Sequence, residues 1–232
     1  MQLPASVAAG WLVPPGTTVS GLSGSAWNGE AASVTTPALR LTNVRWSLKP
    51  WKLLLLKAGA RVNARLPDGA LQADINQGLF GRRGSVDDLK GVLPLEQVGE
   101  LLALPVALTG KAGLQLEHVA WKNGAVVAAQ GEIQFARVTE QLSNTELGSF
   151  SLVFAPTDEH DVHGVMSDTE AVFKLNGNVI LSDDKSWRVE ASIQPTNTTP
   201  GTITQAVGML GAQRDNQGHY VLTSTGSYAT PE

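Results

Sequence analysis

The sequence contains no cysteine, which excludes disulfides and thiolate metal sites. Histidine is scarce, with 4 in 232 residues. Charged residues make up only 16% of the chain, low for a soluble domain. Their balance, 17 Lys and Arg against 21 Asp and Glu, gives a net charge of −4. No basic stripe is present to neutralise phosphates, which argues against a nucleic-acid partner. No apolar run approaches the roughly twenty residues that a helix needs to cross a bilayer; Leu53–Leu56 is only a short leucine run between lysines. No basic start followed by an apolar stretch marks a signal peptide. Either the chain is cytosolic or a targeting segment lies outside it.

What the chain does have is alternation and turn chemistry. Hydrophobic residues reach 42%, with Gly 24 and Pro 12, the composition of a chain with a real core and many reversals. Leu116–Val138 reads as a hairpin. Val119 and Trp121 alternate with polar or small neighbours, and Asn123-Gly124 is the strongest short-range hairpin signal, because both residues tolerate positive φ. Leu41-Thr42-Asn43-Val44-Arg45-Trp46 and Leu116-Glu117-His118-Val119-Ala120-Trp121 share the pattern L-x-x-V-x-W, which reads either as internal repetition or as a chance match. Asn43 interrupts its strand pattern and marks a bulge. Further alternating runs fall at Ala58–Leu66, Gly69–Ile75, Leu147–Ala155, Asp161–Met166, Trp187–Ile193 and Gly218–Tyr228. Asn176-Gly177-Asn178 is expected to be a hairpin turn between Glu170–Leu175 and Val179–Leu181. Three short helices are read from apolar stripes: Trp51–Lys57, Pro94–Leu104 and Thr202–Leu210. The expectation is a mostly β fold, a curved antiparallel sheet or sandwich-like arrangement of roughly a dozen strands with two or three short helices. The chain, residues 1–232, is read as one elongated domain. Two related halves would meet at the polar stretch Gln141–Thr145. Trp27, Trp46, Trp121 and Trp187 are the expected core anchors.

No catalytic constellation is legible, and no cofactor is implied. His160 and His163, flanked by Asp158, Glu159 and Asp161, have the spacing of a partial zinc site. In a strand, however, the two rings would point to opposite faces, so an acidic solvated loop is the favoured reading and no metal is expected. His118 is expected on an exposed face opposite Val119. Lys49, Lys52 and Lys57 surround the leucines of Trp51–Lys57; this is either a membrane-surface helix or, the favoured reading, a connection packed on the sheet edge. Gly81-Arg82-Arg83-Gly84 is a basic turn, either solvated or facing lipid head groups or an acidic partner. The final run carries a candidate interaction edge at Tyr220, Leu222, Thr223 and Tyr228, where a partner strand would add.

Several motifs fall in a familiar order: Trp11 with Val13-Pro14-Pro15-Gly16, then Gly21-x-x-Gly24-x-x-Trp27-x-Gly29. Val44-Arg45-Trp46-Ser47-Leu48-Lys49-Pro50 follows, with its Leu-rich continuation. Pro94–Leu104 comes next, and Gly113-x-Leu-x-Leu leads to Gly124 and Gly131. Over nearly the whole chain this resembles the type II secretion system protein N family. The resemblance implies a non-catalytic structural or interaction component of a machine that exports folded proteins across the outer membrane. It implies a periplasmic location, anchorage to the inner membrane through an N-terminal segment missing here, and other secretion-system envelope proteins as partners. It brings no catalytic residues. The residues themselves leave one alternative, a periplasmic lipid-binding or lipid-transfer domain whose curved sheet holds acyl chains in an apolar groove.

Overall fold

A computed structural model describes residues 4–5, 17–35, 40–66, 69–78, 82–96, 107–141, 144–157, 161–209 and 211–227. The elements are β1 (Thr18–Ser20), β2 (Ser23–Gly24), β3 (Asn28–Thr35), β4 (Arg40–Leu48), a 3-10 helix (Pro50–Leu55), β5 (Lys57–Leu66), β6 (Gly69–Gly78), β7 (Arg83–Pro94), β8 (Leu108–Lys122) and β9 (Ala125–Glu140). Then follow β10 (Thr145–Phe154), β11 (Val162–Ala171), β12 (Phe173–Leu181), β13 (Ser186–Pro195), α1 (Gly201–Met209), β14 (Gln213–Arg214) and β15 (Tyr220–Ser227). All fifteen strands join one sheet, which runs in chain order from β1 to β13, then β15 and β14, with β2 beside β3. It does not close on itself. The sandwich alternative therefore gives way to a single antiparallel sheet, because the strands pair in nearly unbroken chain order and none of the described strands crosses to a second layer.

The sheet's phase follows from alternation. Phe173, Leu175, Gly177, Val179 and Leu181 of β12 point to one face. Their partners Ile193, Ala191, Val189 and Trp187 in β13, and Gly164 and Val162 in β11, share it. That inner face holds four apolar clusters. The largest gathers Leu95, Val138, Phe150, Phe173, Leu175 and Ala191 under Ile203 and Val207 of α1. The spacing Ile203–Val207 places both side chains on one stripe of α1, so the helix seats on the inner face. The expected helix Thr202–Leu210 is thus formed as Gly201–Met209, and Trp51–Lys57 is replaced by the tighter 3-10 turn. The helix expected over Pro94–Leu104 lies, beyond Glu96, outside the described residues. Among the described residues no helix is long and apolar enough to cross a membrane, which says nothing of spanning by strands.

Turn chemistry decides the hairpins. Asn123 (φ 53°) and Gly124 (φ 81°) both occupy the left-handed region, and they join β8 to β9 as a two-residue turn of the type that matches strand twist. At Asn43 (φ 48°) the register between β4 and β5 shifts, the expected bulge. Asn176-Gly177-Asn178 corrects the reading above: it is the middle of β12, not a turn, and β11 hands over to β12 at Val172. A Cβ on Gly177 would lie 3.0 Å from the Glu190 carbonyl oxygen and 3.2 Å from Met166 Cε. Glycine here serves close packing between strands, not reversal.

Candidate functional site

Only one edge of the sheet offers a run of uncovered backbone among the described residues. At the start of the chain β1 is three residues long, and Gly21 (φ 64°) kinks the chain into the two-residue β2. Short, broken edges of this kind resist pairing. At the other end β15 pairs with β13 along its length, Tyr220 with Ile193 through Ser227 with Ser186. On its far side β14 covers only Tyr220 and Val221. The Asp215 carboxylate secures this cover by accepting backbone N–H bonds from Gln217 and His219, each 2.8 Å, while the Arg214 guanidinium lies 5.8 Å from the Tyr220 ring centre. From Leu222 to Ser227 no described strand lies alongside. Of the four residues expected at this edge, Tyr220 is therefore covered and Leu222 and Thr223 lie on the open run. Tyr228 falls outside the described residues. Leu222 faces inward, and Val221 and Thr223 face outward, as the alternation of exposure along the strand requires.

The four expected anchor tryptophans are half-buried. Three of them share one arrangement that the sequence did not disclose. Trp46 is paired with Gly29, Trp121 with Gly84 and Trp187 with Gly226, and each indole lies across the glycine opposite. A Cβ on Gly29 would sit 2.3 Å from Trp46 Cζ2, one on Gly84 2.2 Å from Trp121 Cζ2, and one on Gly226 2.6 Å from Trp187 Cζ2. The ring occupies space that only glycine leaves free. Trp46 Nε1 also donates to the Ala26 carbonyl at 3.1 Å. Trp27 differs: its carbonyl accepts from the Leu48 N–H at 2.7 Å. In both L-x-x-V-x-W segments a register shift falls between the Leu and the Val, so the two copies match in bulge and glycine partner as well as in residue type.

The outer face of β4–β8 carries a polar network. Arg61 holds Asp74 with two bonds of 2.9 and 2.8 Å, and Lys49 Nζ reaches the same carboxylate at 2.9 Å. Next along the sheet, Asn76 Nδ2 donates to Asp87 at 2.6 Å, and His118 Nδ1 lies 2.6 Å from the other Asp87 oxygen. Lys52 binds the Asn76 side chain, which ties the 3-10 helix to the sheet. His118 lies on the outer face opposite Val119, as expected, and is partly covered there by Asp87. The bond from Arg61 is the main cause that holds the Asp74 carboxyl down at about 2 against the opposing effect of burial, with Lys49 adding to it. Asp74 therefore stabilises the fold fully above its unfolded pKa, near 4, and that stabilisation is lost as pH falls toward 2. Asp74→Asn is expected to lower stability by about 2 kcal/mol at pH 7, and the gap to the parent chain should close by pH 2 in urea melts. A gap that persists unchanged at pH 2 would count against the charge pairing.

An open cleft of about 660 Å³ lies beside this network, lined by Arg45, Arg65 and Lys90 with Asn63 and Gln72. Arg45, Asn63, Gln72 and Lys90 are successive partners across four strands. Both features escaped sequence reading, because they assemble along the sheet by register. The only signal was the polar half of each alternating run. His163 is exposed on β11 opposite Ile180, and His160 lies outside the described residues. Among the described residues no cluster of three or more His, Asp or Glu is arranged to hold a metal.

Comparison with known proteins gives one consistent result. The family model "Type II secretion system (T2SS), protein N" matches residues 15–223. A protein named Type II secretion system protein N from Aeromonas hydrophila is 26% identical over 237 residues, covering 97% of this chain and 91% of the relative. Its namesake from Vibrio cholerae is 26% identical with the same coverage, and that from Klebsiella pneumoniae is 25% identical over 90% of this chain and 83% of the relative. No solved structure matches the chain significantly.

Proposed function

This chain belongs to the type II secretion system protein N family, and we propose that it serves the secretion apparatus by contact and not by catalysis. In this reading it is a periplasmic component, held at the inner membrane, that helps folded proteins leave across the outer membrane. Its partners are other envelope proteins of the system. The observation that carries the proposal is the open run Leu222–Ser227 of β15, a backbone edge on which a partner strand gains hydrogen bonds along its length and side-chain selection at alternate positions.

The test exploits strand geometry. Of two neighbouring residues on β15, one directs its N–H to β13 and the other directs it to the open edge. Leu222→Pro and Thr223→Pro therefore separate folding from binding, since proline removes one donor in each case. One variant is expected to lose stability. The other is expected to fold normally and to bind envelope components of the secretion system at least tenfold more weakly, roughly the effect of losing one well-placed backbone bond together with its local fit. A folded proline variant that binds like the parent chain would reject the edge.

A second reading, lipid binding, is supported by the inner face. That face is apolar in four successive clusters along a sheet that does not close. Lipid extraction of the protein purified without detergent, followed by mass spectrometry, distinguishes the two: stoichiometric acyl lipid favours the groove, and its absence favours contact alone.

A further inference from the structure

Antiparallel order sends alternate connections to opposite ends of the sheet. One end gathers the 3-10 helix Pro50–Leu55 between β4 and β5, the facing ends of β6 and β7, and the Asn123-Gly124 turn between β8 and β9. The two basic motifs that stand apart in sequence, around Lys49–Lys57 and at Arg82-Arg83, therefore share one rim. Lys49 and Lys52 are engaged by Asp74 and Asn76. Lys57, Arg82, Arg83 and Lys122 form no ion pair among the described residues. Arg83 and Lys122 are direct cross-strand partners, a like-charge pair that costs stability in an isolated sheet. The same rim presents Trp51 and Leu56, each 57% exposed, and Leu56 is held in the left-handed region at φ 56°, where a leucine is rare. Pro4 bridges to Ser25 at this end, so the amino-terminal side of the chain arrives there too. Among the described residues, the acidic side chains in the connections of this end, Asp161, Asp183 and Asp184, fall on the β11–β13 side, away from Lys57, Arg82, Arg83 and Lys122.

We propose that this rim, with Trp51 and Leu56 beside Lys57 and with Arg82, Arg83 and Lys122 further along the same end, seats on the surface of an anionic lipid bilayer. Tryptophan favours the interface between head groups and acyl chains. Basic side chains within a Debye length of an anionic surface are attracted to it, and an anionic surface relieves the repulsion between Arg83 and Lys122. The patch opposes the chain's overall charge of −4, so attraction is directional: the molecule as a whole is repelled by anionic lipid and only this end is drawn in. Seating by this rim stands the strands on the membrane and leaves the run Leu222–Ser227 free for a partner.

The test is sedimentation of the full chain with vesicles. Binding is expected to vesicles containing phosphatidylglycerol, to weaken with salt, and to be absent with pure phosphatidylcholine. The triple variant Lys57→Glu, Arg83→Glu, Lys122→Glu should bind at least tenfold more weakly. A second triple variant, Arg65→Glu, Lys90→Glu, Lys111→Glu, carries the same charge change away from the rim and should retain more than half of the binding. Brominated acyl chains should quench the fluorescence of the parent chain, and Trp51→Ala should abolish that quenching while keeping the parent's melting temperature. No binding to phosphatidylglycerol vesicles, equal loss in both triple variants, or unchanged quenching in Trp51→Ala would each overturn the proposal. The proline variant of β15 that folds normally should bind vesicles like the parent chain, so this result and the partner result fail separately.

Discussion

Replacing Trp46 by alanine is expected to cost about 3 kcal/mol of stability, with a similar loss for Trp121→Ala, the low end of the range for large aromatic truncations because both rings are half-buried. Trp46 packs against Val44, Ala31 and Ala64, and its removal also leaves the Ala26 carbonyl without its 3.1 Å donor. The reciprocal change is informative. Gly29→Ala drives a Cβ to within 2.3 Å of the ring and should cost about 1–3 kcal/mol through displacement of the indole. The two effects share most of one cause, so they should sum to less than their separate losses: once Trp46 is alanine, Gly29→Ala should cost clearly less, because the clash with the ring is gone and only the 2.8 Å approach to the Ser25 carbonyl oxygen remains. The same cycle on Trp121 and Gly84 should give the same sign. Additive losses in urea melts would show that ring and glycine do not act as a unit, and native-like stability of Trp46→Ala or Trp121→Ala would remove that tryptophan from the framework.

These pairs also mark the limit of what the sequence discloses. Strands with clean alternation, such as Ala58–Leu66, were legible because one face is wet and the other dry. Asn123-Gly124 was legible because its backbone demand is local. The bulge at Asn43 was legible as an interruption of pattern. Asn176-Gly177-Asn178 was misread because turn-forming residues also suit a strand whose outer positions are exposed and whose inner position must be small. The glycine–tryptophan pairs and the network around Asp74 depend on register, and register is shifted by residues such as Asp88 (φ 51°) and Arg137 (φ 50°). Each bulge moves later side chains to the other face relative to simple counting. The rim needed only topology: once the strands are known to alternate, Lys57, Arg83 and Lys122 must meet at one end.

Phe150→Ala is the other large expected effect, about 4 kcal/mol, and it bears on whether the long sheet behaves as one body. Phe150 is 8% exposed and follows the polar stretch Gln141–Thr145, which links β9 to β10 within the continuous sheet. Its ring lies 5.6 Å from that of Phe173, tilted by 31°. Its cluster draws Leu95 and Val138 from before that stretch and Leu175, Ala191, Ile203 and Val207 from after it. The residue thus bonds the two sides through packing, as β9 and β10 do through backbone hydrogen bonds. Truncation should remove the aromatic contact, open a cavity that the sheet fills only in part, and loosen the seat of α1. If the sheet is one cooperative unit, the melt stays a single transition and shifts down by roughly 10 °C. Two related halves that fold separately would instead split the melt, with the α1 side unfolding first. A contact module that hands force or position from an edge strand to a membrane-facing rim requires the first outcome, because local opening at β9–β10 would uncouple the two.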